Sequence, residues 1–301
     1  MAIIRFDLPP IQDDFDEDDI RNLDVGRRQL CTEWQNVLHE PGSEDRDWSL
    51  ILPFANTYRN AFKTMCETTA WPHVATNGRL CLFLKGIDRD SGPPQEIHEW
   101  IEKVGRYVAM KDMLALSFAL DYEREGGNPN RAQTKVGALR AQAKPYGSQT
   151  PTKQMRAAAD QLVRSCMAFL QEMSCYESAD CVVAMPASDP TKSYNLPCYL
   201  AAGIATNWGK EDLTGHVHTI RGRDSIKSVP LAQKLDTLLG TIEVDAGIFD
   251  GKQVLLIDDL YQSGISMNYC ALLLLKAGAR KVFSLACEKT CRNDDNVSAR
   301  I

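Results

Sequence analysis

The sequence carries no GxSxG, HExxH or Walker lysine-serine pattern, so the common signatures of serine hydrolases, zinc proteases and P-loop enzymes are missing. It has no internal repeat, which argues against a solenoid or propeller. Proline (14) and glycine (19) are too sparse in 301 residues for a low-complexity or collagen-like chain. Apolar runs such as Ala271–Leu275 fall far short of the roughly 20 residues a bilayer crossing needs. Basic residues are outnumbered 34 to 40, giving a net charge of -6, so nucleic-acid wrapping by charge is not expected. The opening MAIIRFDLPP meets acid and proline before any apolar stretch and does not read as a secretory signal. The 10 cysteines show no framework spacing, so reduced thiols in a cytoplasmic protein with no membrane contact are the expectation.

What is present is ample core material, 44% hydrophobic residues, in a chain long enough for two domains. Seven acids against one arginine in residues 1–20 read as an acidic mobile tail. Asp18 and Asp19 are candidate caps for a helix running to about Glu40, on the spacing of Ile20, Leu23, Leu30, Trp34, Val37 and Leu38. Tyr58, Phe62 and Met65 form a second helical stripe, and Asn77-Gly78 in HVATNGRLCLFL signals a hairpin. Ile97, Trp100, Ile101, Val104 and Val108 predict a helix from Gln95 to about Tyr122, broken by EGGNPN at 125–130. Residues 21–130 are therefore expected to be a mainly helical domain of unassigned role, offering a surface to a protein partner. A winged-helix nucleic-acid reader has the same parts, but this segment is acidic.

From about residue 131 to 301 the pattern changes. After a helix near 152–173, apolar runs alternate with helical stretches: CVVAM at 181–185, a helix near 195–207, HVHTI at 216–220, QVLLI at 253–257, a helix near 265–277 and KVFSLA at 281–286. Such alternation predicts an α/β domain with a mainly parallel sheet. Ligands of such sheets bind beyond the carboxyl ends of strands.

VLLIDDLYQSGIS, residues 254–266, is the most informative segment. An apolar strand delivers two adjacent carboxylates, Asp258 and Asp259, followed by a small turn that opens a helix. The N–H groups of Tyr261, Gln262, Ser263, Gly264, Ile265 and Ser266, with the two serine hydroxyls, form a candidate anion cradle. Paired aspartates suit vicinal ribose hydroxyls, while the cradle suits a 5'-phosphate on the same sugar.

This string resembles the phosphoribosyl pyrophosphate (PRPP) motif of type I phosphoribosyltransferases, with serine at both threonine positions. Residues 177–205 are similar to the strand, pyrophosphate loop and helix start of the ComF-like branch, related to amidophosphoribosyltransferases, through Pro186, Ala187, Ser188, Lys192, Tyr194 and Asn195. Lysine replaces the common arginine at 192, which implies a point-charge contact with diphosphate. Residues 218–244 resemble the family's mobile loop and following helix, with Arg221, Arg223, Lys227 and Lys234 supplying positive charge; TKVGALRAQAKPY places Lys144 near the family's lysine. The resemblance covers about 131–290 and implies transfer of 5-phosphoribosyl from PRPP to a nitrogen acceptor, with magnesium as cofactor. It implies Asp258 and Asp259 as catalytic residues, in contact with magnesium directly or through ribose or water. The alternatives are a non-catalytic PRPP or nucleotide sensor, and an accessory or effector protein of bacterial DNA uptake or phage defence. Acceptor and oligomeric state are left open.

Two further signals carry less. His216 and His218 alternate on one strand without a familiar ligand spacing nearby, and Cys287 and Cys291 lack a second pair, so neither predicts zinc.

Overall fold

The computed structural model describes residues 14–23, 29–30, 48–51, 70–74, 80–84, 105–110, 112–144, 150–173, 176–189, 191, 194–222 and 229–291. At its centre lie β7 (Cys181–Ala184), β11 (Gln253–Tyr261) and β12 (Lys281–Lys289), in which nearly every residue is buried. Strands apolar along their whole length need helices on both faces, the condition a parallel sheet satisfies. β11 runs parallel to β7 on one side and to β12 on the other. Beyond β12 lies parallel β6 (Leu116–Tyr122), and beyond β7 the short parallel β8 (Glu211–Asp212). β5 (Val108–Met110) and β1 (Gln29–Leu30) extend the β6 edge antiparallel, giving the order β1-β5-β6-β12-β11-β7-β8.

One face is covered by α2 (Lys135–Ala143), α3 (Lys153–Glu172) and α4 (Leu196–Trp208), whose Leu139, Leu162, Phe169 and Ile204 join Leu255, Ile257, Phe283 and Leu285 in one core cluster. The other face carries α1 (Glu17–Arg21), α5 (Leu231–Leu238) and α6 (Ile265–Lys276), with Ile20, Leu235, Cys270 and Leu274 clustered with Val254, Leu256 and Val282. Each large side chain hidden in this way stabilises the fold by about 1.5–3 kcal/mol. Thr134 caps α2 by accepting from the Gly137 N–H at 3.0 Å, and Gly137 lets α2 approach the Glu123 carbonyl where a Cβ would collide. No helix among the described residues is long and apolar enough to cross a membrane.

The strongest departures from the sequence reading lie ahead of residue 131. Val108–Met110 and Leu116–Tyr122 are strands, not the end of a helix. Val108 sits at helical spacing with the residues upstream, but the pairing of β6 with β12 and of β5 with β6 decides their conformation. Because β6 lies between β5 and β12, the break at 125–130 is a connection inside the α/β unit rather than its boundary. That connection is a 3-10 turn at Glu125–Gly127, closed by an Arg124–Gln133 bridge.

The tail reading also changes for its last residues. Asp16, two positions before the expected cap, accepts from the Asp18 and Asp19 N–H groups, and Asp19 accepts in return from the Asp16 N–H at 2.9 Å. Acids at the first turn suit the helix dipole, while Ile20 is fully buried and Arg21 pairs with Asp236 at 2.6 Å. The helix stops at Arg21, and Gln29–Leu30 is a strand within the stretch expected to be helical to about Glu40. The Tyr58, Phe62 and Met65 stripe lies outside the described residues.

β3 (Ala70–Val74) and β4 (Leu80–Leu84) pair antiparallel with Val74 opposite Leu80, and β2 (Trp48–Ile51) pairs with β4; Asn77-Gly78 itself lies outside the described residues. HVHTI yields β9 (Val217–Thr219), which pairs with β10 (Ile242–Val244) in a separate antiparallel ribbon; β8 takes the expected place beside β7.

Candidate functional site

The pairing of β7 with β11 ends at Ala184 opposite Ile257, while β11 continues beside β12 to Tyr261 opposite Lys289. From Asp258 onward β11 is thus open on one side, where residues 186–188 leave β7. The two aspartates stand inside the strand, not after it as the apolar run implied. This is the crevice at the carboxyl end of a parallel sheet where ligands characteristically bind.

Asp259 is clamped. Its Oδ2 accepts from Arg140 Nε at 2.9 Å and from Lys144 Nζ at 3.0 Å, both at the end of α2. Arg140 also donates through Nη1 to Glu288 Oε1 at 2.8 Å. Burial opposes the charge on Asp259, but Arg140 and Lys144 outweigh it and hold the carboxyl below its ordinary range, at about 2. Asp258 accepts the Asp259 N–H through Oδ1 at 2.7 Å. Burial and then the Asp259 charge push Asp258 up to about 8. Burial likewise pushes Glu288 up to about 7 against the pull of Arg140. The acidic pair is therefore unequal: Arg140 and Lys144 hold Asp259 toward its charged form, while burial and the Asp259 charge push Asp258 toward its protonated form.

The turn after β11 has the form of an anion cradle. Gly264 adopts a left-handed φ of 78° as the N-cap residue of α6, and Ser263 is only 4% exposed. The N–H groups of Ser263 and Gly264 find no acceptor among the described residues. Gln262 Nε2 is buried with no hydrogen-bond partner among the described residues. Tyr261 and Ile265 contribute only backbone, since their side chains are buried in the core, while Ser266 is partly exposed at the first turn of α6.

Other expected residues distribute unevenly. Ala187 and Ser188 follow β7 at the open side of β11, and the Ala187 carbonyl accepts from Thr219 Oγ1 at 2.5 Å, tying this loop to β9. Lys192, Arg223 and Lys227 lie outside the described residues. Arg221 is exposed, with Nη2 3.4 Å from the Leu239 carbonyl. Lys234 corrects an expectation: it is fully buried in α5 and adds no charge to a loop surface. Tyr194 is half-buried against the helical face of the core, and Asn195 stands at the start of α4. His216 and His218 share Asp245, at 2.8 and 3.4 Å, on the exposed ribbon.

Sequence reasoning missed Arg140, Glu288 and Asp112. Arg140 had one available signal, its position four residues ahead of Lys144 on a helix, which puts both on one face. Glu288 had another, an acid two residues beyond an apolar strand run.

Among the described residues, no three His, Cys, Asp or Glu side chains group to hold a metal ion. The carboxylates nevertheless fit magnesium of the kind that keeps its waters and binds one or two acids plus ligand oxygens. Asp258, on giving up its proton, is the better placed, because Asp259 Oδ2 already accepts from two cations. No protein-family model matches the chain, and no curated protein matches it.

Proposed function

We propose that the crevice binds PRPP with magnesium and that the protein is a phosphoribosyltransferase, moving the 5-phosphoribosyl group to a nitrogen acceptor with release of pyrophosphate. The observation that carries this reading is the turn at 262–266. The N–H groups of Ser263 and Gly264, with no acceptor among the described residues, stand at a helix N-terminus a few positions beyond two carboxylates at the end of a central parallel strand. Phosphate at the turn puts the ribose hydroxyls of the same ligand beside Asp258 and Asp259.

In this reading the bond from C1 to the diphosphate oxygen breaks and a C1–N bond forms, and the acceptor nitrogen gives up a proton. The chain's task is positioning and charge. Asp259, held by Arg140 and Lys144, is a weak base and supplies fixed negative charge beside the ribose, where positive charge develops. Ala187 and Ser188 attend the diphosphate; Lys192, Arg223 and Lys227, outside the described residues, and Arg221 are the residues to which the family resemblance gives the positive charge it needs. Magnesium, when bound, neutralises charge on the leaving diphosphate.

The same clamp favours a second reading. An acid fixed by two cations suits a site that binds without turnover, such as a PRPP or nucleotide sensor in an accessory or effector protein. Calorimetry with PRPP and magnesium tests binding, and pyrophosphate release with purines, pyrimidines and ammonia separates transferase from sensor. No heat with PRPP across the millimolar range, with the protein folded, ends both readings.

A further inference from the structure

A carboxylate unused by the reading above lies beneath the turn. Asp112, in the connection between β5 and β6, is 3% exposed. It accepts from the Leu114 N–H at 3.0 Å and from Ser117 Oγ at 2.7 Å. These two local donors suffice to fold Asp112 into its own connection. Two more come from far along the chain: the Tyr261 hydroxyl at 2.9 Å and Asn268 Nδ2 at 3.5 Å.

Both distant donors act on Gly264. The Tyr261 hydroxyl occupies the space where a Cβ on Gly264 would stand. Asn268 Nδ2 also donates to the Gly264 carbonyl at 2.8 Å, while Asn268 Oδ1 accepts from the Met113 N–H at 2.9 Å. The left-handed residue of the turn is thereby tied to the 112–113 segment through two side chains. We propose that Asp112 is a positioning residue for the phosphate turn, acting through Tyr261 and Asn268 on Gly264. This rests on the phosphate reading of the turn. A cradle of N–H groups binds an anion well only when its donors are fixed before the ligand arrives, and the two distant bonds supply that fixing.

The test uses the full chain, with ribose 5-phosphate as calorimetric probe, on wild type, Tyr261→Phe, Asp112→Asn and the double variant. Tyr261→Phe is the mild change, since it keeps the ring and leaves Asp112 its other donors. Each single variant is expected to weaken ribose 5-phosphate about tenfold, the loss of one hydrogen bond. The double is expected to be no weaker than Asp112→Asn alone, because the Tyr261 hydroxyl acts on the turn through its bond to Asp112, which that variant already disrupts. Hydrogen exchange is the second readout: amides of 262–266 exchange faster in each variant, while those of β11 ahead of Asp258 do not change. Unchanged affinity, multiplied losses in the double, or faster exchange throughout the sheet overturns the inference and leaves the phosphate reading standing. A wild type that binds neither ribose 5-phosphate nor PRPP overturns both.

Discussion

Arg140 Nε lies 2.9 Å from Asp259 Oδ2, with each side chain only 9% exposed. Its Nη1 reaches a second hidden carboxylate, Glu288, at 2.8 Å. One guanidinium thus holds acids from β11 and β12 together at the mouth of the crevice. Such a fork matches carboxylates in a way lysine does not.

Removing that guanidinium strands two buried acids. Arg140→Met is expected to destabilise the protein by about 3–5 kcal/mol, the usual result of breaking a buried pair by one partner. Adding Glu288→Leu removes one of the stranded charges and recovers part of the loss. Urea unfolding of the wild type, the single and the double variant checks this. A double variant whose loss equals the sum of both singles contradicts it.

The raised acids set a pH dependence of definite sign. Glu288 has an ordinary value of 4.5 and is held at about 7 in the fold, so between those values the folded state binds more protons than the unfolded. Stability contributed by the protonated form is present below 4.5 and declines as pH rises towards 7. The slope is at most about 1.4 kcal/mol per pH unit for one group. Glu288→Gln, which cannot ionise, flattens the curve over that window. Unfolding curves at pH 5, 6 and 7 that fall in parallel for wild type and variant refute the assignment.

Gly264 is a glycine for two separate reasons, its φ of 78° and the Tyr261 hydroxyl beside it. Gly264→Ala is expected to lower stability by about 1–3 kcal/mol through strain in the left-handed region. Tyr261→Phe in the same chain removes the nearest clashing atom but leaves ring carbon Cζ 2.8 Å from the new Cβ, leaves the strain and gives up the bond to Asp112, so it does not restore the melting temperature in full. Full restoration means the backbone conformation costs nothing.

The parallel centre was legible because strands buried on both faces leave a continuous apolar mark, as in VLLI and CVVA. Val108 and Leu116–Tyr122 were not legible as strands. Val108 completes a helical spacing begun at Ile97, and only its place beside β6 makes it extended. The acidic pair and the turn were read from adjacent residues. Their surroundings were not, because Arg140 lies 119 positions from Asp259 and Asp112 lies 149 from Tyr261, and no local pattern records such pairings.

The place of β5 and β6 in the sheet decides where the chain tolerates division. A chain begun at residue 131 lacks β6 and β5, leaving β12 with β11 alone as a parallel neighbour and Phe118 missing from the cluster around Phe169 and Phe283. It is expected not to unfold cooperatively. Cleavage at 125–130 in the intact protein, by contrast, leaves both pieces associated through the β6–β12 ladder. Gel filtration of the nicked protein under native conditions checks this, and release of a stable fragment starting near 131 counts against it.

The division of the site into binding and chemistry gives the most direct test of the transferase reading. Ser263 belongs to the turn, which in that reading touches only the unreactive 5'-phosphate. Ser263→Ala is therefore expected to weaken PRPP binding by about 1.5–3 kcal/mol, the worth of a hydrogen bond to a charged group, with turnover at saturation little changed. Asp259 lies where charge develops on the ribose. Asp259→Asn keeps its size and one acceptor oxygen, removes its charge and leaves Arg140 its bond to Glu288. It is expected to depress turnover more than affinity, because the lost interaction is strongest in the transition state. Pyrophosphate release and calorimetry on wild type and both variants separate these effects. A wild type that binds PRPP but releases no pyrophosphate with any acceptor, together with an Asp259→Asn effect confined to affinity, replaces the transferase with the sensor.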